Sequence, residues 1–142
     1  MKARRKKAPP RAAAVRGSGV YGIGVDILHV TRIEKVYARH GERFVERLLH
    51  PLEMRDFAKV TKPAQYLAKS FAIKEAFVKA LGTGFAGVAH DEVGAVRNGL
   101  GKPELVYGPN LKRRLKQLGI RRAHVTLSDE GGTVCAVAVL ER

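Results

Sequence analysis

The stretch that most constrains this chain is residues 63–84. Pro63 stands where it can open a helix. Ala64, Leu67, Ala68, Phe71, Ala72, Phe77, Val78 and Leu81 then recur at helical spacing until Gly82-Thr83-Gly84 closes the run. Lys74, Glu75 and Lys79 lie inside this apolar pattern. A charge among alanine and phenylalanine is costly to bury unless something neutralises it, so a partner for each is expected. The bland reading of Glu75 is a weak surface pair with Lys79, four positions on. Its apolar neighbours favour an enclosed carboxylate instead.

Residues 20–28 alternate as a strand. Tyr21, Ile23, Val25 and Ile27 share one face, and Gly22, Gly24, Asp26 and Leu28 share the other. Two glycines on one face let a helix or another backbone approach closely. Asp26, a poor strand former just beyond that gap, is either functional or a strand terminator. Capping of the following helix falls better to Thr31.

The chain carries a formal charge of +14 over 142 residues. Residues 1–17 hold seven of its lysines and arginines and no acid, with Pro and Ala but no periodicity, which reads as a basic disordered extension. Residues 18–142 then form one domain. That body remains basic by about seven charges, which favours an acidic or phosphorylated partner. No apolar run is long enough to span a bilayer. The lone Cys135 fits a strand as a small buried thiol, in keeping with a reducing, cytoplasmic setting.

Residues 31–39, 42–49 and the piece opened by Pro51 read as three short helices forming a small cap. The first presents Arg32, Lys35 and Arg39 outward, either as a solvated face or as a dock for an acidic helix. After the glycine loop come strands at 93–97 and 105–107, a basic amphipathic helix at 111–118, and strands at 123–128 and 133–140 across a four-residue connection, 129–132. This order predicts an α+β fold, with a mostly antiparallel sheet packed against the long helix and the helical cap.

If that helix crosses the glycine face of the first strand, Asp26 and Glu75 can meet. Two carboxylates without a neighbouring cysteine or histidine pair suit a hard cation such as magnesium, which completes its shell with water and substrate phosphates. Lys74, Lys79 and the loop Gly82-Thr83-Gly84 would supply positive charge and room for a pyrophosphate.

These same segments carry a family resemblance. The run 22–27, Arg32-Ile33-Glu34, the run 68–84, Gly101-Lys102-Pro103 and His124-Val125-Thr126-Leu127-Ser128 closely resemble the bacterial holo-acyl-carrier-protein synthases, the small members of the 4′-phosphopantetheinyl transferase superfamily. The resemblance spans about residues 20–141 and implies that family's fold. It also implies transfer of phosphopantetheine from coenzyme A to a serine of apo acyl carrier protein in fatty acid biosynthesis. On that likeness Asp26 and Glu75 bind magnesium, and Glu75 or a metal-polarised water assists removal of the serine proton. Lys79 holds the phosphate under attack. Lys74, Gly82, Thr83, Gly84 and His124 belong to the nucleotide side, and Arg32, Lys35 and Arg39 to the carrier-protein face. The likeness further implies a homotrimer with coenzyme A held between subunits. One departure is Asp129, where many relatives carry histidine.

A rival from another class is a nucleic-acid-binding protein, suggested by the pI near 10.4. It requires basic residues interleaved with stacking aromatics on one surface, whereas the five phenylalanines read as internal.

Overall fold

The computed structural model describes residues 19–142; the basic extension expected for 1–17 lies outside them. The chain runs through strand β1 (Val20–His29), helices α1 (Val30–His40), α2 (Glu42–Leu48), α3 (Pro51–Phe57) and α4 (Pro63–Leu81), and a 3-10 turn at His90–Glu92. It continues through β2 (Val93–Arg97), β3 (Pro103–Tyr107), α5 (Pro109–Gln117), β4 (Arg122–Glu130) and β5 (Thr133–Glu141). All strand pairs are antiparallel, in a three-stranded sheet ordered β1-β5-β4 and a separate β2-β3 pair. The α+β expectation holds, and the last strand is the one that receives the first.

The inner face of the main sheet is built from small residues where α4 crosses it. Val134, Ala136, Ala138 and Leu140 of β5 are fully buried against the helix, with Leu67, Ala68, Ala72, Ala76 and Phe77 opposite. The approach is closest over β1. A methyl group on Gly22 would lie 1.9 Å from the Ala80 carbonyl oxygen, and one on Gly24 equally close to that of Ala76. No side chain fits there, so both glycines are required by packing and α4 lies with its backbone on the strand.

The outer face of the same sheet is apolar and uncovered. Ile23, Val25 and Ile27 are 66, 53 and 67% exposed, and pair across β5 with Val139, Val137 and Cys135. Cys135 is therefore half-buried on this outer face rather than in the core. The reason is parity: the odd positions of β5 turn away from α4.

Two local expectations are corrected. Thr31 does not cap α1, which begins at Val30 with His29 at the cap position and no side-chain capping bond. The final hairpin is tighter than expected, because β4 and β5 stay paired through Glu130 and Thr133, leaving the two-residue turn Gly131-Gly132.

Candidate active site

The glycine contacts place the acids. Asp26 follows Gly24 on the same face of β1, and Glu75 and Lys79 precede Ala76 and Ala80, the two residues whose carbonyls rest on the strand. The Lys79 ammonium donates to Asp26 Oδ1 at 3.2 Å and to the Val25 carbonyl at 3.0 Å. Asp26 is only 14% exposed at its side chain, whereas Lys79 is 51% exposed. The second Asp26 oxygen, Oδ2, is buried with no hydrogen-bond partner. A buried carboxylate oxygen without a donor is a liability that a cation removes.

Glu75 completes the cluster electrostatically. Burial raises its pKa above the ordinary carboxylate value, and the Asp26 charge pushes in the same direction, against the opposing pull of Lys79 and Arg32. Two carboxylates are thus held close enough to repel, and one of them has an unsatisfied oxygen. That donor set fits a hard divalent cation. Among the described residues no group of three or more His, Cys, Asp or Glu side chains converges, so such a cation would take its remaining ligands from water or substrate oxygens, as magnesium does.

Lys74 is the main correction to the expected site. It is 0% exposed and points away from the neighbouring Glu75 into the core. Its ammonium donates to Glu53 Oε1 at 2.6 Å, to the His90 carbonyl at 2.9 Å and to the Val93 carbonyl. Lysine has three protons to give, and all three are taken. Lys74 therefore has none to offer a nucleotide. Burial lowers its pKa, opposed by Glu53.

Glu53 is the residue that the sequence reading missed. Besides Lys74 it accepts from the His50 amide at 3.0 Å, the Ser70 hydroxyl at 2.8 Å and the Ala95 amide at 3.2 Å, joining α3, α4 and β2. The available signal was His50-Pro51-Leu52-Glu53, a helix start with glutamate at the third position, and it does form a capping box. Nothing local announces that the same carboxylate is also the counter-charge for Lys74.

The glycine loop follows directly on α4. Gly82 adopts the left-handed conformation, its amide donating to the Val78 and Lys79 carbonyls, while the Gly84 amide also donates to Val78. Both amides are consumed in capping the helix, and the Thr83 hydroxyl donates to the Gly84 carbonyl. The loop therefore offers a ligand space free of side chains rather than these two donors. His124 is not brought to this cluster within one chain. It lies exposed on β4, on the outer face opposite Val139, with Nε2 2.9 Å from Glu141 Oε2.

On α1, Arg32, Lys35 and Arg39 are all exposed, and Arg32 places its guanidinium 5.4 Å from the centre of the Phe71 ring. Arg32 thus reaches back toward the acids rather than standing free with its neighbours. A cleft of about 520 Å³ opens between α3, α4 and β4, with Lys59, Lys62, Lys69 and Arg97 among its walls. Asp129 stands at the Lys69 ammonium, 3.6 Å away, and accepts from Gln65. Neither Asp26 nor Glu75 lines this cleft. The orphaned carboxylate oxygen, not cavity size, marks the reactive cluster.

The family model of the 4′-phosphopantetheinyl transferase superfamily matches residues 22–137. A holo-[acyl-carrier-protein] synthase of Neisseria gonorrhoeae is 46% identical over 124 residues, covering 87% of this chain and 99% of its own length. The crystal structure of a holo-[acyl-carrier-protein] synthase from Neisseria meningitidis superposes with a TM-score of 0.84 at 44% identity, over 87% of this chain and 100% of that one. A third similar structure is the Helicobacter pylori holo-[acyl-carrier-protein] synthase in complex with coenzyme A, with a TM-score of 0.73 at 28% identity, over 83% of this chain and 98% of that one.

Proposed function

The chain belongs to the 4′-phosphopantetheinyl transferase superfamily, and on that premise we propose how its residues divide the work. The activity is transfer of the 4′-phosphopantetheine arm of coenzyme A to a serine of apo acyl carrier protein, leaving adenosine 3′,5′-bisphosphate. The observation that carries the residue assignment is the orphaned Asp26 Oδ2 beside Glu75, with Lys79 on the other oxygen.

Asp26 and Glu75 would hold magnesium, which when bound neutralises charge on the pyrophosphate of coenzyme A. The serine hydroxyl loses its proton to Glu75, whose raised pKa suits it to accept one, or to a water held there. The serine oxygen bonds to the phosphorus next to the pantetheine arm, and the bond from that phosphorus to the bridging oxygen of the pyrophosphate breaks. Lys79 is half-exposed in a weak, solvent-facing ion pair, so its ammonium is free to turn onto the phosphate under attack. Gly82, Thr83 and Gly84 leave room for the nucleotide end.

The exposed Lys35 and Arg39, with Arg32 bridging toward the acids, suit the acidic surface of a carrier protein. The uncovered face of Ile23, Val25 and Ile27 supports a homotrimer. His124 lies on that same face, where it can reach the nucleotide of a neighbouring copy. No helix among the described residues is long and apolar enough to cross a membrane. A cytoplasmic role in fatty acid biosynthesis and lipid metabolism fits the reaction.

The direct test is mass spectrometry of an apo acyl carrier protein after incubation with this protein, coenzyme A and magnesium. One phosphopantetheine should be added, and none by Asp26→Ala or Glu75→Ala variants that retain their circular dichroism. Full activity in both variants would remove the metal-site assignment.

A further inference from the structure

The glycine loop is fastened to a helix that has no part in the acid cluster. On α5, Leu111 and Leu115 are buried, and Lys112, Arg113 and Lys116 point to solvent. Arg114, on the same helix, instead turns toward the glycine loop, its Nη1 donating to the Ala86 carbonyl at 2.9 Å. Gly87, the next residue, has φ +73°, and a methyl group there would lie 2.8 Å from the same Nη1. The guanidinium thus occupies the space that any other residue at position 87 would fill.

The other end of α5 is held to the same segment. Glu92, in the turn that ends the loop, accepts from the Leu111 amide at 3.2 Å and the Asn110 side chain at 3.4 Å. A carboxylate at a helix N-terminus is favourable for the helix dipole. The Gly108 amide donates to the Glu92 carbonyl at 2.8 Å. Between these anchors the Phe85 ring stacks on His90 with centroids 3.7 Å apart. Residues 85–92 are therefore held by α5 at Ala86 and at Glu92, while 82–84 are fixed by the α4 cap.

We propose that Arg114 is a positioning residue for the transfer reaction: by holding the Ala86 carbonyl it keeps the Phe85–Gly87 part of the glycine loop, which follows the capped residues 82–84, in the conformation that receives coenzyme A. This rests on the reading above in which that loop meets the nucleotide. A charge-assisted bond of this kind, once lost, raises local opening roughly tenfold, and the same change should appear in coenzyme A affinity.

The test compares Arg114→Ala, Arg114→Lys and, as a control on the same helix, Arg113→Ala, whose arginine bonds instead to Asn110. Amide hydrogen exchange is followed on peptides covering residues 82–89, together with KM for coenzyme A, kcat and thermal midpoint. Arg114→Ala should speed exchange in these peptides and raise KM for coenzyme A by about tenfold each, with kcat within about twofold and the midpoint nearly unchanged. Arg114→Lys, which keeps a donor, should recover part of both, and Arg113→Ala should resemble the parent. Unchanged exchange in Arg114→Ala overturns the clamp itself. Faster exchange with an unchanged KM overturns the loop's part in receiving coenzyme A, and the proposal with it, while transfer activity as such would stand.

Discussion

Gly24 and Ala76 are in backbone contact: a single methyl group on Gly24 would sit 1.9 Å from the Ala76 carbonyl oxygen. That contact sets the height of α4 above β1, and so brings Glu75 alongside Asp26. Overpacking normally costs about 1–3 kcal/mol, and here the opposing atom is backbone that cannot rotate away. Gly24→Ala should therefore cost at least about 3 kcal/mol in urea denaturation. Any folded fraction should bind magnesium more weakly than the parent, because separating the two elements separates the carboxylates. Parental stability in Gly24→Ala would contradict the packing.

Magnesium affinity should depend on pH in a stated direction. Burial and Asp26 hold the Glu75 proton above the ordinary carboxylate range, so protons compete with the cation there. Calorimetry should show affinity rising with pH through that raised range, by up to about tenfold per unit, and then levelling. In metal-free protein the sign for stability is the reverse. The folded state favours protonated Glu75, so its contribution is fully present below the pKa of the unfolded chain and is lost as pH rises through the raised value. Glu75→Gln should flatten both profiles, and a pH-independent affinity in the parent would argue against Glu75 as a ligand.

Lys74 and Glu53 should behave as a unit of the core. Lys74→Met leaves the Glu53 carboxylate buried without its cation and should cost about 3–5 kcal/mol. The double variant Lys74→Met/Glu53→Gln should recover a large share of that, a non-additivity that chemical denaturation of the four species reads directly. If coenzyme A KM in the stabilised double variant stays near the parent's, Lys74 is structural. A KM raised a hundredfold would restore it to the nucleotide side.

Reversing the exposed charges of α1 should affect one substrate and spare the other. Lys35→Glu with Arg39→Glu is expected to raise KM for acyl carrier protein about tenfold at low salt, with the difference shrinking as salt is added. KM for coenzyme A should not move. Equal effects on both substrates would mean that this face does not dock the carrier protein.

Much of the fold was legible because periodicity is a local property. The alternation through β1, the glycines of its inner face, the long helix from Pro63 and the αL stop at Gly82 are written in neighbouring residues and appear where expected. Asp26 and Glu75 were identifiable for the same reason, as charges in the wrong local company. The pairing of Asp26 with Lys79, beside Glu75, follows from one geometric condition, that the helix crosses the glycine face.

What the sequence could not decide was which way adjacent charges turn. Lys74 and Glu75 are neighbours in the chain but about 100° apart around the helix, so they cannot serve one site, and the choice between them depends on what packs on each side. β1 lies under Glu75, while α3, the 3-10 turn at His90–Glu92 and β2 close over Lys74 and supply a carboxylate 21 positions away and two carbonyls. Local residue preference fixed the helix, the strand and the need for counter-charges. Only tertiary packing assigned each charge its partner, because the cost of burying a charge is set by the groups that surround it rather than by the residues that precede and follow it.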